Sequence, residues 1–171
     1  NTPGLRALQD KSALDELLAA VMAAKGEVPV FLKVAPDLEP ADVDDIVAVS
    51  MERKIDALIV ANTTITRPPL RSRHAAEAGG LSGAPLKALA LQRVRDFRSA
   101  TGGALPLIAA GGIASGADAW ARIKAGASLV QLYSALVYEG PGLARRINRE
   151  LRALVEAEGF ATLAEAVGSE A

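Results

Sequence analysis

Lys33, Asn62, Thr63, Ser82, Tyr133 and Ser134 each close an apolar stretch or lie in a glycine-bearing loop just beyond one. None is acidic, so the chemistry they can share is recognition of an anion and of a polar ring. Phosphate oxygens need backbone N–H groups presented without side-chain obstruction, which glycine allows; Gly83 follows Ser82, and Gly111 and Gly112 follow the apolar run that ends at Ala110. Paired glycines alone are weak evidence, and Gly79–Gly80 and Gly102–Gly103 read more simply as turns. Asn62 and Thr63 offer neutral donors and acceptors suited to a planar ring bearing carbonyls and N–H groups; in isolation they also suit the capping of a turn.

Lys33 is the one charged residue in an otherwise apolar run from Val28 to Val34 that ends at Pro36–Asp37, the pattern of a buried strand. With side chains alternating, Phe31, Lys33 and Ala35 share one face and Val30, Leu32 and Val34 the other. A lysine on such a strand is desolvated at a cost of several kcal/mol unless an anion receives it. An anionic cofactor would do so, and beside the pyrimidine edge of a flavin the ammonium favours the reduced, negatively charged ring. The alternative is a side chain that bends from the strand end towards solvent.

The elements that must position these residues follow from hydrophobic period. Helices are predicted over 12–25, from Pro40 through Val43, Ile46, Val47 and Met51, and over 85–99, 117–125 and 142–157; strands over 28–34, 57–61, 105–110 and 128–132. A long loop, 62–83, lies between the second strand and its helix, and loops of that length usually serve function. Strands without a polar face, separated by helices, imply a parallel sheet. Four such units fit half of an eight-stranded barrel or a small doubly wound sheet. Gly111–Gly112 after one strand and Tyr133–Ser134 after the next match the phosphate grip of a barrel's last two strands, whereas no Gly-x-Gly-x-x-Gly occurs. The expected fold is an α/β parallel (β/α)8 barrel of which residues 1–171 supply strands five to eight.

Composition narrows the function classes. Nineteen basic residues against twenty acidic ones leave no broad positive surface for nucleic acid. No apolar run reaches the roughly 18 residues that cross a bilayer. With no cysteine and a single histidine, His74, neither a disulfide nor a zinc cluster is expected, and no metal site. His74 sits in Arg71-Ser72-Arg73-His74, read as a solvated loop; Arg145, Arg146, Arg149 and Arg152 read as an exposed helix face alternating with Glu150. The opening Asn1-Thr2-Pro3-Gly4 reads as a loop leaving a strand outside this sequence, so the expectation is the carboxyl-terminal part of a longer protein.

Six stretches in this order resemble the carboxyl-terminal half of the dihydroorotate dehydrogenases, in particular the membrane-associated, quinone-using class (class 2). They are Asn1-Thr2-Pro3-Gly4-Leu5-Arg6, Lys33-Val34-Ala35-Pro36-Asp37-Leu38, Asn62-Thr63-Thr64 with Arg67-Pro68, Gly79-Gly80-Leu81-Ser82-Gly83 with Pro85-Leu86, Gly111-Gly112, and Gly126 through Tyr133. The resemblance implies an FMN-containing barrel in which dihydroorotate is oxidised to orotate in de novo pyrimidine (UMP) synthesis and ubiquinone is the final oxidant. It implies that Lys33 contacts the flavin ring, that Ser82, Gly83, Gly111, Gly112, Tyr133 and Ser134 hold the cofactor, and that Asn1, Asn62 and Thr63 bind the substrate. Ala61 falls where relatives often carry a threonine that touches the flavin, which leaves a main-chain contact only.

The family's serine base falls two residues before Asn1, so no catalytic residue is assigned within this chain. The quinone tunnel and the helices that rest on the membrane, in bacteria the inner (cytoplasmic) membrane, likewise belong to amino-terminal parts outside it. The expectation is that these residues alone are soluble and inactive and associate with themselves or with the other half. Two alternatives stand beside this reading: a non-catalytic FMN- or phosphate-binding half-barrel, and a soluble class 1 enzyme with another oxidant.

Overall fold

A computed structural model describes residues 4–171. After a 3-10 turn at Leu5–Gln9, the elements run α1 (Lys11–Ala24), β1 (Phe31–Val34), α2 (Pro40–Glu52), β2 (Ala57–Val60), a 3-10 turn at Ala84–Leu86, α3 (Lys87–Thr101), β3 (Leu107–Ala110), α4 (Gly116–Lys124), β4 (Leu129–Gln131), α5 (Ser134–Glu139) and α6 (Leu143–Ala157), with a last 3-10 turn at Ala164–Ala166. Local chemistry sets the helix starts. The Asp10 carboxylate accepts the Ser12 N–H before α1, Glu39 and Asp42 form a reciprocal capping box around Pro40, and Ser115 accepts the Asp118 N–H at α4. Gly102, in the left-handed region, ends α3.

The strands form one sheet in the order β1-β2-β3-β4, every pair parallel. A doubly wound sheet reverses its order at a switch point. This one does not, so the architecture is that of half a (β/α)8 barrel, in agreement with the glycine argument. Register puts Lys33 beside Ile59, Ile59 beside Ile108, and Ile108 beside Leu129. Those residues form one face of the sheet. The opposite face, with Val34, Leu58, Val60, Leu107 and Ala109, packs under Val43, Ile46, Val94 and Phe97 of α2 and α3 as the main core. A smaller core joins α4 to α6 through Trp120, Ile123, Leu143, Ile147 and Leu151. Trp120 meets Phe160 edge to face at 5.7 Å, and its Nε1 donates to Glu158 at 2.5 Å.

The structure departs from the sequence reading in four places. The first strand begins at Phe31 rather than Val28, because the Asp56 carboxylate takes the Val30 N–H at 2.7 Å and Val28 is exposed. The other strands are also one or two residues shorter than expected. A short helix, α5, starts at Ser134, where the sequence suggests a loop. Finally, Arg146 and Glu150 are not free surface charges: Arg146 pairs with Glu139 and donates to the Ala114 carbonyl at 3.3 Å, while Glu150 accepts the Gly116 N–H at 2.5 Å. They fasten α6 to the start of α4. Among the described residues no helix is long and apolar enough to cross a membrane.

Candidate active site

The carboxyl ends of the four strands open into one cleft of about 720 Å³. Lys33, Ala61, Asn62, Thr63, Ser82, Gly83, Gly111, Gly112, Tyr133 and Ser134 all line it. Every predicted site residue but one therefore meets at a single place. The exception, Asn1, lies outside the described residues.

One end of the cleft is a backbone cradle built by three loops. Gly83 has φ 77° and ψ −153°, a combination essentially reserved to glycine. A Cβ on it would stand 3.8 Å from the Cβ of Ser134, and the Ser82 and Ser134 hydroxyls are 3.0 Å apart. Gly111 and Gly112 have φ of 100° and 71°. A Cβ on Gly112 would lie 2.6 Å from the Lys87 Cα, so this loop is pressed against the first turn of α3 and only glycine lets it approach. Among the described residues, the N–H groups of Gly83, Gly112 and Ile113 donate to no protein acceptor. Unpaired backbone N–H groups on the wall of a cleft are free to receive an anion, and together these suit the oxygens of a phosphate.

At the other end, Lys33 lines both this cleft and an adjoining one of about 450 Å³, as do Asn62 and Thr63. Among the described residues the Lys33 ammonium has neither an ion pair nor a hydrogen bond, and the residue is exposed. Its position at the open face matches both readings of the residue, the charge for a ligand and the stem that reaches water. Asn62 hands its amide N–H to the Val34 carbonyl at 2.7 Å, while its side-chain oxygen accepts the Thr63 N–H at 2.9 Å. The turn-capping role is thus real, and it leaves the Asn62 side-chain NH2 for a ligand. Ala61 is buried, with its N–H on the Ala110 carbonyl at 3.2 Å, so it meets the cleft as backbone and methyl only.

The long loop that carries Asn62, Thr63 and Ser82 is held from both sides. Thr64 and Leu81 exchange backbone hydrogen bonds of 3.0 and 2.7 Å, and Arg67 donates to the Glu77 and Gly79 carbonyls. Asp37 collects Arg6, the Thr64 hydroxyl and the Ile65 N–H, which ties the loop to the end of β1.

Gln131 and Lys87 are among the cleft residues that escaped the sequence reading. Gln131, polar in an apolar strand and in register with Ala110 on the ligand face, gave the same signal as Lys33 and could have been found. Lys87 gave none; it reads as an ordinary helix charge but stands at the first turn of α3, paired to Asp118 at 2.7 Å. Burial opposes ionisation of Asp118, yet hydrogen bonds from Lys87, the Ala114 N–H and Ser115 hold its pKa below the ordinary 3.8.

Comparison with known proteins tests this picture. A family model described as dihydroorotate dehydrogenase matches residues 1–155. The chain belongs to the dihydroorotate dehydrogenase family. Its relatives include proteins named dihydroorotate dehydrogenase (quinone) from Sphingopyxis alaskensis, 67% identical over 99% of this chain and 48% of the relative, and from Novosphingobium aromaticivorans, 65% identical over 99% and 49%. The crystal structure of DHODH from Eimeria tenella in complex with ferulenol superposes with a TM-score of 0.94 at 38% identity, covering 99% of this chain and 51% of that one. The chain thus spans about half the length of the dihydroorotate dehydrogenases it matches.

Proposed function

We propose that residues 1–171 are the carboxyl-terminal half of an FMN-binding (β/α)8 dihydroorotate dehydrogenase of the quinone-using class, which oxidises dihydroorotate to orotate in pyrimidine synthesis. The observation that carries this reading is the cleft itself, with a glycine cradle at one end and Lys33, Asn62 and Thr63 at the other. FMN, when bound, supplies the hydride-accepting ring. The unpaired N–H groups of Gly83, Gly112 and Ile113 suit its phosphate, with the Ser82 and Ser134 hydroxyls and the backbone at Gly111 and Tyr133 beside them. Lys33 sets an ammonium at the far end, where it favours negative charge on a ring. Asn62 and Thr63 orient the substrate pyrimidine through neutral donors and acceptors, as does Asn1 in this proposal.

In this proposal the serine that removes the substrate proton lies two residues before Asn1, and the ubiquinone path and the contact with the membrane surface belong to amino-terminal segments. Hydride transfer depends on placing two rings face to face, so half of the wall cannot sustain it, and residues 1–171 alone are expected to be inactive. The test is purification of the full-length protein. Bound yellow flavin and dihydroorotate-dependent reduction of a soluble quinone support the reading. A colourless preparation that neither takes up FMN nor oxidises dihydroorotate overturns it, and turnover by residues 1–171 alone overturns the account of their incompleteness.

A further inference from the structure

Arg122, on α4, is 1% exposed and is the largest fully buried side chain of the described residues. A buried guanidinium is ordinarily matched by a carboxylate. Here Nη2 instead donates to two backbone carbonyls, Lys87 at 2.7 Å and Gly111 at 3.0 Å, and Nε has no partner among the described residues. The carboxylate that acts on it, Asp118, is already engaged by the Lys87 ammonium at 2.7 Å and the Ala114 N–H at 3.0 Å, and Arg95 adds a second positive charge nearby. With Asp118 taken by Lys87, the Arg122 charge behind the Gly111–Gly112 loop has no carboxylate of its own among the described residues. Burial pulls the guanidinium pKa down to about 10, so it stays charged at neutral pH.

The peptide joining Gly111 to Gly112 links that charge to the cleft. Its carbonyl is held by Arg122, and in a trans peptide the N–H points the opposite way. That N–H belongs to Gly112, which lines the cleft and has no acceptor among the described residues. A hydrogen bond accepted at one end of a peptide strengthens the donor at its other end.

We propose that Arg122 is a positioning residue for the phosphate end of the ligand: it fixes the loop with the Gly112 N–H turned to the cleft and lends that peptide its positive charge. This rests on the FMN reading above. A purely structural arginine predicts something different, since buried charges can often be replaced by apolar residues of similar size without loss.

The experiment measures affinity of the full-length apoprotein for FMN and for riboflavin, which differ in the phosphate alone. Wild type is expected to prefer FMN. Arg122→Met should weaken FMN on the order of tenfold, the size of one charge acting through an effective dielectric near 20, and leave riboflavin unchanged. Arg122→Gln, which keeps a donor for the Gly111 carbonyl without the charge, should lose much of the preference, and Arg122→Lys should restore most of it. Equal losses for both flavins, or an unchanged FMN preference in the Met and Gln variants, overturn this inference alone. A wild-type protein that binds neither flavin overturns the functional reading, and this inference with it.

Discussion

Replacing Gly112 by alanine puts a methyl group where the backbone leaves no room. At φ 71° an L-residue is strained by about 1–2 kcal/mol. The new Cβ would also stand 2.6 Å from the Lys87 Cα and 2.8 Å from its N, and backbone cannot swing aside as a side-chain tip can. Relief requires the loop to back away from α3, an overpacking cost of about 1–3 kcal/mol. The sum, about 2–5 kcal/mol, is to be read against two other glycines with positive φ. Gly26, at φ 59°, has nothing within 4 Å of where a methyl would stand, so Gly26→Ala bears the strain alone. Gly83 has only the Ser134 Cβ at 3.8 Å, so Gly83→Ala costs the about 1–3 kcal/mol of its glycine-only backbone region. Urea unfolding of the full-length protein and its variants gives the stabilities, and titration with FMN gives the affinities. Gly112→Ala should be the most destabilised of the three and, because the loop must move, should bind FMN at least about tenfold more weakly than Gly26→Ala does. A Gly112→Ala protein within about 0.5 kcal/mol of Gly26→Ala and equal to it in FMN affinity would refute the close-approach argument.

Lys33→Ala in the full-length protein should slow single-turnover flavin reduction while leaving the melting temperature nearly unchanged, because the side chain is exposed and unpaired among the described residues; unaltered reduction contradicts its role. Asp118 has a folded pKa below 3.8, so its stabilisation is complete above that value and disappears as pH falls through the folded one; the stability gap between wild type and Asp118→Asn should close on acidification, and a constant gap from neutral pH to strong acid counts against it. Phe97→Ala, at a fully buried position in the main core, should cost about 3–5 kcal/mol by urea unfolding, with a loss under about 1 kcal/mol inconsistent with the packing described. Residues 1–171 expressed alone should elute above monomer mass, since Phe31 and Leu129 on the open sheet face are 48% and 60% exposed; a stable monomer refutes this.

Strand count, parallel order and the meeting of the strand ends were legible because they depend on period and on glycine, both visible in one dimension. Lys33 stood out as a charge in an apolar run, and Gly83 and Gly112 as glycines in the loops beyond strands. What escaped reading depends on neighbours distant in sequence. The start of β1 is decided by Asp56, which takes the Val30 N–H from the neighbouring strand's entry. Arg146 and Glu150 have the spacing of a solvated helix face, and only the approach of Ala114 and Gly116 turns them into fasteners. Arg122 is the extreme case, a charge on a helix whose burial comes from α3 and the Gly111 loop and has no sign in its own surroundings.

The two faces of the sheet divide the work, and alternation along each strand is what keeps the two apart. Val34, Leu58, Val60, Leu107 and Ala109 face the helices and hold the fold, while Lys33, Ile59, Ala110 and Gln131 occupy the intervening positions on the ligand face. A residue on the second face can therefore change its chemistry with little effect on the core, because Lys33 and Gln131 are exposed and belong to neither hydrophobic core. The glycine loops do not share this freedom. Gly111 and Gly112 touch Leu86, Lys87 and Ala90 of the segment entering α3, so at the phosphate end the packing of the fold and the geometry of the site are the same contacts. Substitutions at the ring end should accordingly separate function from stability, and substitutions at the phosphate end should not.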